Sequence, residues 1–293
     1  MERRDMTYCQ FVQAVEKHVK ETAREEIRIT VHTSQKNNGV CRRGLLFSEE
    51  QTNISPAIYL EEYYRRFELG YPVEEIAKDI LRLYDRMRFP GSWKDIELLD
   101  YEAVRDKIVY RLVNREANRE RLKEIPYVSY LDLAIIFYVL LDSGENGTAS
   151  MLVKNSHLKQ WQVSWTEIYK RACNNTMRLL PYDFLSMSAA IGLDDVMFKE
   201  EDMFVLTNTL RCYGAAAILY PGRLRAIGEY LGEDYYILPS SVHETIILRA
   251  GTAPDREDLD DMVAQINRTE VEDEEVLSDH AYFYDRDHDR LEK

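Results

Sequence analysis

The stretch Leu238–Leu248, LPSSVHETIIL, places Ser240, Ser241, His243 and Glu244 within a few residues of one another, immediately after a proline. These are the side chains of acyl-transfer and proton-transfer chemistry: a hydroxyl nucleophile, an imidazole base, and a carboxylate that turns into a general acid when burial raises its pKa. Read as a strand, the segment puts Val242, Glu244, Ile246 and Leu248 on one face and Ser241, His243, Thr245 and Ile247 on the other. Glu244 would then sit among aliphatic side chains, which is costly unless it is hydrogen-bonded, paired or protonated. Asn208, at the end of the strand-like run MFVLTN, is the fifth candidate. Two readings compete. In one, these groups line the pocket of a hydrolase. In the other, favoured here, Pro239 removes a ladder donor, Ser240 and Ser241 bulge the strand, and the polar side chains satisfy loosened backbone groups.

Geometry weakens the enzyme reading. Two residues apart on one strand, Ser241 and His243 would have Cβ atoms about 6.5–7 Å apart, and no GxSxG elbow occurs in the chain. The SxxK at Ser156–Lys159 falls in what reads as a strand or turn. His243-Glu244 lacks the second histidine of a helical HExxH, and Asp285, Asp287 and Asp289 open a calcium-type loop whose glycine position holds Arg290. No glycine-rich phosphate loop is present. The expectation is no cofactor and no metal.

The elements that would position these residues can be read in order. Phe11, Val15, His18 and Val19 share one side of a helix from Met6 to about Arg24. Ile27, Ile29 and Val31 alternate with polar residues, Asn38-Gly39 supplies a two-residue turn, and Val40–Phe47 returns with Val31 opposite Leu46. Ser55-Pro56 opens a helix carrying Ala57, Leu60, Tyr64 and Phe67; a second helix starts at Pro72, and a third runs from Tyr101 to about Arg115. The charged segment 114–124 reads as a linker, giving a mainly helical N-terminal region over 1–125 and an α+β domain over 126–293. In the latter, 128–141 reads as a long strand, 148–162 as its partner, and Ser164–Glu167 as a capping box before a helix. Strands follow at 203–207, 214–219, 235–238 and 242–248, helices at 221–231 and 255–266, and a closing edge strand at 277–284. Short connections argue for antiparallel pairing. The fold class is α+β.

Charge and cysteine usage bound the function. The chain has 38 Lys+Arg and 52 Asp+Glu, a net charge of −14. Residues 1–125 hold 23 of each sign, so the remainder holds 15 basic against 29 acidic (38 − 23 and 52 − 23) and carries the whole imbalance. Such a surface repels phosphate backbones, so direct nucleic-acid binding is not expected. The longest apolar run, Leu133–Leu141, is too short to cross a membrane. Cys9, Cys41, Cys173 and Cys212 are far apart with no CxxC pair, which suits reduced thiols in a cytoplasm. Twenty tyrosines, with apolar rings and polar tips, suit a contact surface.

Several phrases together, KNNG from Lys36, NISPAIYLEEYY from Asn53, VLTN from Val205, GAAAILYPGRL from Gly214, LPSSVHE from Leu238 and LSD from Leu277, resemble an uncharacterised bacterial family known only as a domain of unknown function. The stretch HLKQWQVSWTEIYKRACNNT from His157 is also similar to a second, poorly understood bacterial family. The first resemblance spans nearly the whole chain and implies a soluble bacterial protein; it brings no activity, cofactor or site residue. Three functions follow as expectations: a non-catalytic cytoplasmic protein-interaction or regulatory protein, a hydrolase with its site at Ser240–Glu244, or an acidic DNA mimic.

Overall fold

Six consecutive buried residues, Ile108–Val113, decide the organisation of the middle of the chain. In the computed structural model, which describes residues 6–49, 57–87, 100–144, 147–192, 202–239 and 241–293, they form a strand buried on both faces. The i, i+4 spacing of Val104, Ile108 and Leu112 suggests a helix, but β-branched and aromatic residues covered on both sides fit a central strand better. Only Tyr101–Val104 is α-helical there, followed by a 3₁₀ turn over Arg105–Lys107. The chain divides into two compact units: residues 1–36, 40–100 and 143–147, and residues 37–39, 101–142 and 148–293. Residue 125, where the sequence suggests a boundary, falls inside the second unit; in the segment before it Arg115–Ala117, Arg119, Glu120, Lys123 and Glu124 are exposed, while Asn118 and Leu122 are buried.

In the first unit, α1 (Tyr8–Thr22) starts at Thr7, whose hydroxyl accepts the Gln10 N–H at 3.4 Å while the Gln10 side chain accepts the Thr7 N–H at 2.8 Å. Strands β1 (Ile27–Gln35), β2 (Cys41–Glu49) and β3 (Ala57–Tyr59) form an antiparallel sheet in that order. The hairpin is present, but its turn is longer than two residues: the Lys36 N–H donates to Val40 O at 2.7 Å, with Asn38 and Gly39 both at positive φ. The extra turn residue shifts the register by one, so Val31 faces Leu45 instead of Leu46. Ala57–Tyr59 pairs with β2 rather than entering a helix, and α2 (Glu61–Glu68) begins after Leu60; Ser55-Pro56 lies outside the described residues. With α3 (Val73–Met87), these elements close a core of Phe11, Val15, Phe47, Leu60, Ile76 and Ile80.

In the second unit, β4 (Ile108–Asn114), β5 (Tyr127–Tyr130), β6 (Leu133–Gly144) and β7 (Gly147–Leu152) make a sheet ordered β4-β6-β5, with β7 also pairing with β6. The expected long strand from 128 is therefore a hairpin, folded at Leu131 with positive φ. The returning strand ends at Leu152, and α4 (Asn155–Trp161) follows, so Ser156 and Lys159 are exposed helix residues. Ser164 caps α5 (Trp165–Leu179) by accepting the Glu167 N–H at 3.2 Å; the Glu167 carboxylate bonds Arg171 instead of closing the box. Helix α5 is tied to β4, with the Tyr110 N–H on Thr176 Oγ1 at 3.1 Å and Asn175 Nδ2 on Ile108 O at 3.0 Å.

The remaining strands are β8 (Tyr182–Ser186), β9 (Met203–Asn208), β10 (Tyr235–Leu238), β11 (Thr245–Arg249), β12 (Tyr282–Asp285) and β13 (Arg290–Glu292). They form an antiparallel sheet ordered β13-β12-β10-β11-β9-β8. Strand β12 is paired on both sides, so the expected edge position belongs to β13. Helix α6 (Arg223–Leu231) precedes β10, and α7 (Arg256–Thr269) packs Leu259 and Val263 against Leu238 and Leu248. Gly214–Leu219 is a buried 3₁₀ segment, not a strand: its small side chains let the backbone pass close to β9. The class is α+β, with antiparallel sheets packed against helices.

Candidate functional site around His243

Pro239–Glu244 is not regular strand. Strand β11 begins only at Thr245, and the residues before it are fixed by bonds to two other segments. On one side, Pro239 O accepts the Ser278 N–H at 3.1 Å, the Val242 N–H donates to Glu275 O at 2.8 Å, and Ser241 makes an isolated bridge with Val276. On the other, Val242 O accepts the Ala215 N–H at 3.2 Å, and His243 O accepts the Thr207 hydroxyl at 2.8 Å. Burial along the segment therefore departs from strict alternation: Val242, Thr245 and Ile247 are buried, while Glu244 is only half-buried and makes no hydrogen bond or ion pair with a described residue.

The candidates separate in role. Ser241 Oγ accepts the backbone N–H of His243 at 3.0 Å, a local turn bond, and makes no hydrogen bond to the imidazole. Ser240 lies outside the described residues. Asn208 is buried and caps the turn after β9: its Oδ1 accepts the N–H groups of Leu210 at 3.1 Å and Cys212 at 3.3 Å, and its Nδ2 donates to Cys212 O at 2.9 Å. Within that turn Arg211 and Tyr213 both adopt positive φ, which swings the chain back towards His243.

His243 gathers chemistry that the linear sequence does not announce. Its Nδ1 accepts the Tyr213 N–H at 3.2 Å, and its Nε2 lies 3.3 Å from Glu275 Oε1. The Cys212 thiol hydrogen-bonds the same imidazole, and this bond is the main reason why the His243 pKa is raised; burial opposes it and the Glu275 charge adds to it. The imidazole therefore holds the Tyr213 N–H at one nitrogen and faces Glu275 at the other, with the Cys212 thiol beside it. The Tyr213 ring lies 5.3 Å from the imidazole, centroid to centroid. Its face is also covered by Arg111, whose Cζ is 3.8 Å from the Tyr213 centroid and 4.0 Å from that of Tyr138. Arg111 is only 6% exposed and donates to Ser150 Oγ at 3.0 Å, a buried cation stabilised between two aromatic faces. Burial raises the Tyr213 hydroxyl pKa, with Arg111 pulling the other way.

Sequence reasoning missed Cys212, Tyr213, Glu275 and Arg111. None of these four lies in the phrases quoted above, but five of those phrases converge on the same segment. VLTN supplies Thr207 and Asn208; GAAAIL supplies the Gly214 and Ala215 backbone; LPSSVHE supplies the segment itself. In KNNG, Asn37 Nδ2 donates to Glu274 O at 2.8 Å, and Asn38 Nδ2 to Asp273 O at 2.8 Å and Val276 O at 2.7 Å, bracketing Glu275. LSD supplies Ser278, which donates its N–H to Pro239 O and its hydroxyl to Asp132 Oδ2 at 2.7 Å. Among the described residues, no group of three or more His, Cys, Asp or Glu converges as metal ligands would, and no helix is long and apolar enough to cross a membrane.

Fold and site together define an α+β protein whose irregular strand entry gathers His243, Tyr213, Cys212 and Glu275. The chain belongs to the family of unknown function DUF5688, whose model matches residues 8–286. No curated protein and no solved structure matches it.

Proposed function

We propose that the protein is a non-catalytic cytoplasmic interaction protein that holds a protein partner. The observation that carries this reading is Tyr230, 67% exposed on α6. It stands edge-on to Phe184 and Phe204, with centroids at 5.8 and 5.9 Å, and those two rings stack on each other at 5.1 Å. Tyr182 lies beside them on β8, the last strand in the order of its sheet, with the Arg223 guanidinium 3.3 Å from its ring centroid; Met203 is exposed on β9. Exposed aromatic rings flanked by arginine are the residue types that anchor protein interfaces, and a net charge of −14 suits a partner with a basic surround. Widely spaced cysteines fit a cytoplasmic setting, and direct nucleic-acid binding is not expected of so acidic a chain.

The hydrolase reading at Ser240–Glu244 draws less support, because Ser241 and Asn208 are spent on backbone geometry. DNA mimicry rests on charge alone. The test is retention of a partner from native lysate by wild type, Tyr230→Ser and Glu244→Gln. Wild type and Glu244→Gln retain the same protein and Tyr230→Ser loses it. Equal retention by all three, or loss only with Glu244→Gln, overturns the proposal.

A further inference from the structure

We propose that a cavity in the second unit is a binding site for a free amino acid with an aromatic side chain. The inference stands apart from partner binding.

The cavity has a volume of about 320 Å³, and its wall is drawn from distant parts of the chain. Tyr130 and Ile135 come from β5 and β6, and Tyr169 from α5. Residues 218–225 run from the buried 3₁₀ segment into the first turn of α6, and Tyr284, Asp289 and Leu291 come from β12, β13 and the turn between them. The volume lies at the small end of the range for ligand pockets, roughly 300–1,000 Å³, and suits a single small molecule.

Much of the wall is carbon surface. Ile135, Ile218, Tyr220 and Tyr284 are almost fully buried. The hydroxyls of the two tyrosines are already given to Leu180 O at 2.6 Å and to Asp289 Oδ1 at 2.5 Å. Rings and branched side chains of this kind favour a flat apolar body.

Two opposite charges stand uncommitted on the same wall. Arg225 gives its Nε to Glu229 at 3.2 Å, and its terminal nitrogens bond no described residue. Asp289 accepts the Tyr284 hydroxyl on Oδ1, and its Oδ2 bonds no described residue. The two make no ion pair with each other. Arg223, the other arginine of the wall, has its guanidinium on the Tyr182 ring.

That arrangement selects the ligand class. A simple anion gains from Arg225 but is repelled by Asp289, and a simple amine meets the reverse. An amino acid satisfies both: its carboxylate pairs with the guanidinium, its ammonium with Asp289, and its ring covers the apolar wall.

The experiment is isothermal titration calorimetry on the full chain with L-phenylalanine, phenylpropanoate (which lacks the ammonium) and phenylethylamine (which lacks the carboxylate). Phenylalanine is expected to bind with Kd below about 1 mM, and each analogue about tenfold more weakly. Asp289→Asn removes the carboxylate and keeps an acceptor for Tyr284, and asparagine tolerates the φ of 50° at this position. It is expected to weaken phenylalanine about tenfold and to leave phenylpropanoate no weaker. Arg225→Gln, at an exposed helix position, is expected to weaken phenylalanine by a similar factor and to leave phenylethylamine no weaker. Melting temperatures without ligand establish that both variants are folded. No saturable binding of phenylalanine up to about 10 mM, equal affinity for the three ligands, or an affinity for phenylalanine unchanged in either variant overturns the proposal.

Discussion

A Cβ atom built on Gly214 would lie 2.1 Å from Thr207 Oγ1, 2.5 Å from Asn208 N and 2.6 Å from His243 O. Three segments of the site therefore meet at a point where only a hydrogen fits, and two of the obstructing atoms are backbone. Gly214→Ala must push the 3₁₀ segment off β9 and break the Thr207–His243 bond. We predict a loss of about 3 kcal/mol or more in urea unfolding. A loss under about 1 kcal/mol would mean that this crossing yields easily.

His243 gives the protein a pH-dependent increment of stability. Its pKa is raised by the Cys212 hydrogen bond, with a further contribution from Glu275. A group whose folded pKa exceeds the unfolded value stabilises fully below the unfolded value, about 6.5 for histidine, and loses that contribution as pH rises through the folded one. The wild-type urea midpoint is expected to fall relative to that of His243→Gln as pH rises above about 6.5. Parallel curves for the two proteins would exclude the linkage.

Asp132 works in the opposite direction. Burial alone would raise its pKa, but hydrogen bonds from Tyr282 at 2.6 Å and Ser278 at 2.7 Å, with Lys293 at 3.2 Å, outweigh burial and hold it below the ordinary value. Its contribution is present above about pH 4 and is lost as pH falls through the depressed value. Asp132→Asn leaves one buried hydroxyl without an acceptor and is expected to cost about 2–3 kcal/mol at neutral pH. The same substitution should flatten the acid limb of the stability curve.

Legibility in the sequence followed the locality of the signal. The β1–β2 hairpin, α3, the Ser164 cap and the strands β9 and β10 are marked by alternation, helical spacing or capping residues that act over a few positions. β4 was hidden because Val104, Ile108 and Leu112 satisfy a helical stripe while the residues between them satisfy a doubly buried strand; only the neighbours decide, and those are long-range. Gly214–Leu219 failed for the complementary reason: its alanines carry little preference, and packing against β9 sets their conformation. The candidate site divides in the same way. His243 and Asn208 were visible as polar interruptions of apolar runs, whereas Cys212 and Glu275 reach the imidazole only through a left-handed turn and a segment held by asparagines elsewhere in the chain.

The hairpin turn has a practical consequence for dissecting the molecule. Asn37–Gly39 belong to the second compact unit although the strands that carry them belong to the first. A chain cut just before Tyr101 would leave Asp273, Glu274 and Val276 with carbonyls stripped of their asparagine donors. Such a fragment should be a poor stand-in for the intact protein, and a short synthetic peptide spanning Lys36–Val40 offers a means of complementing it in trans.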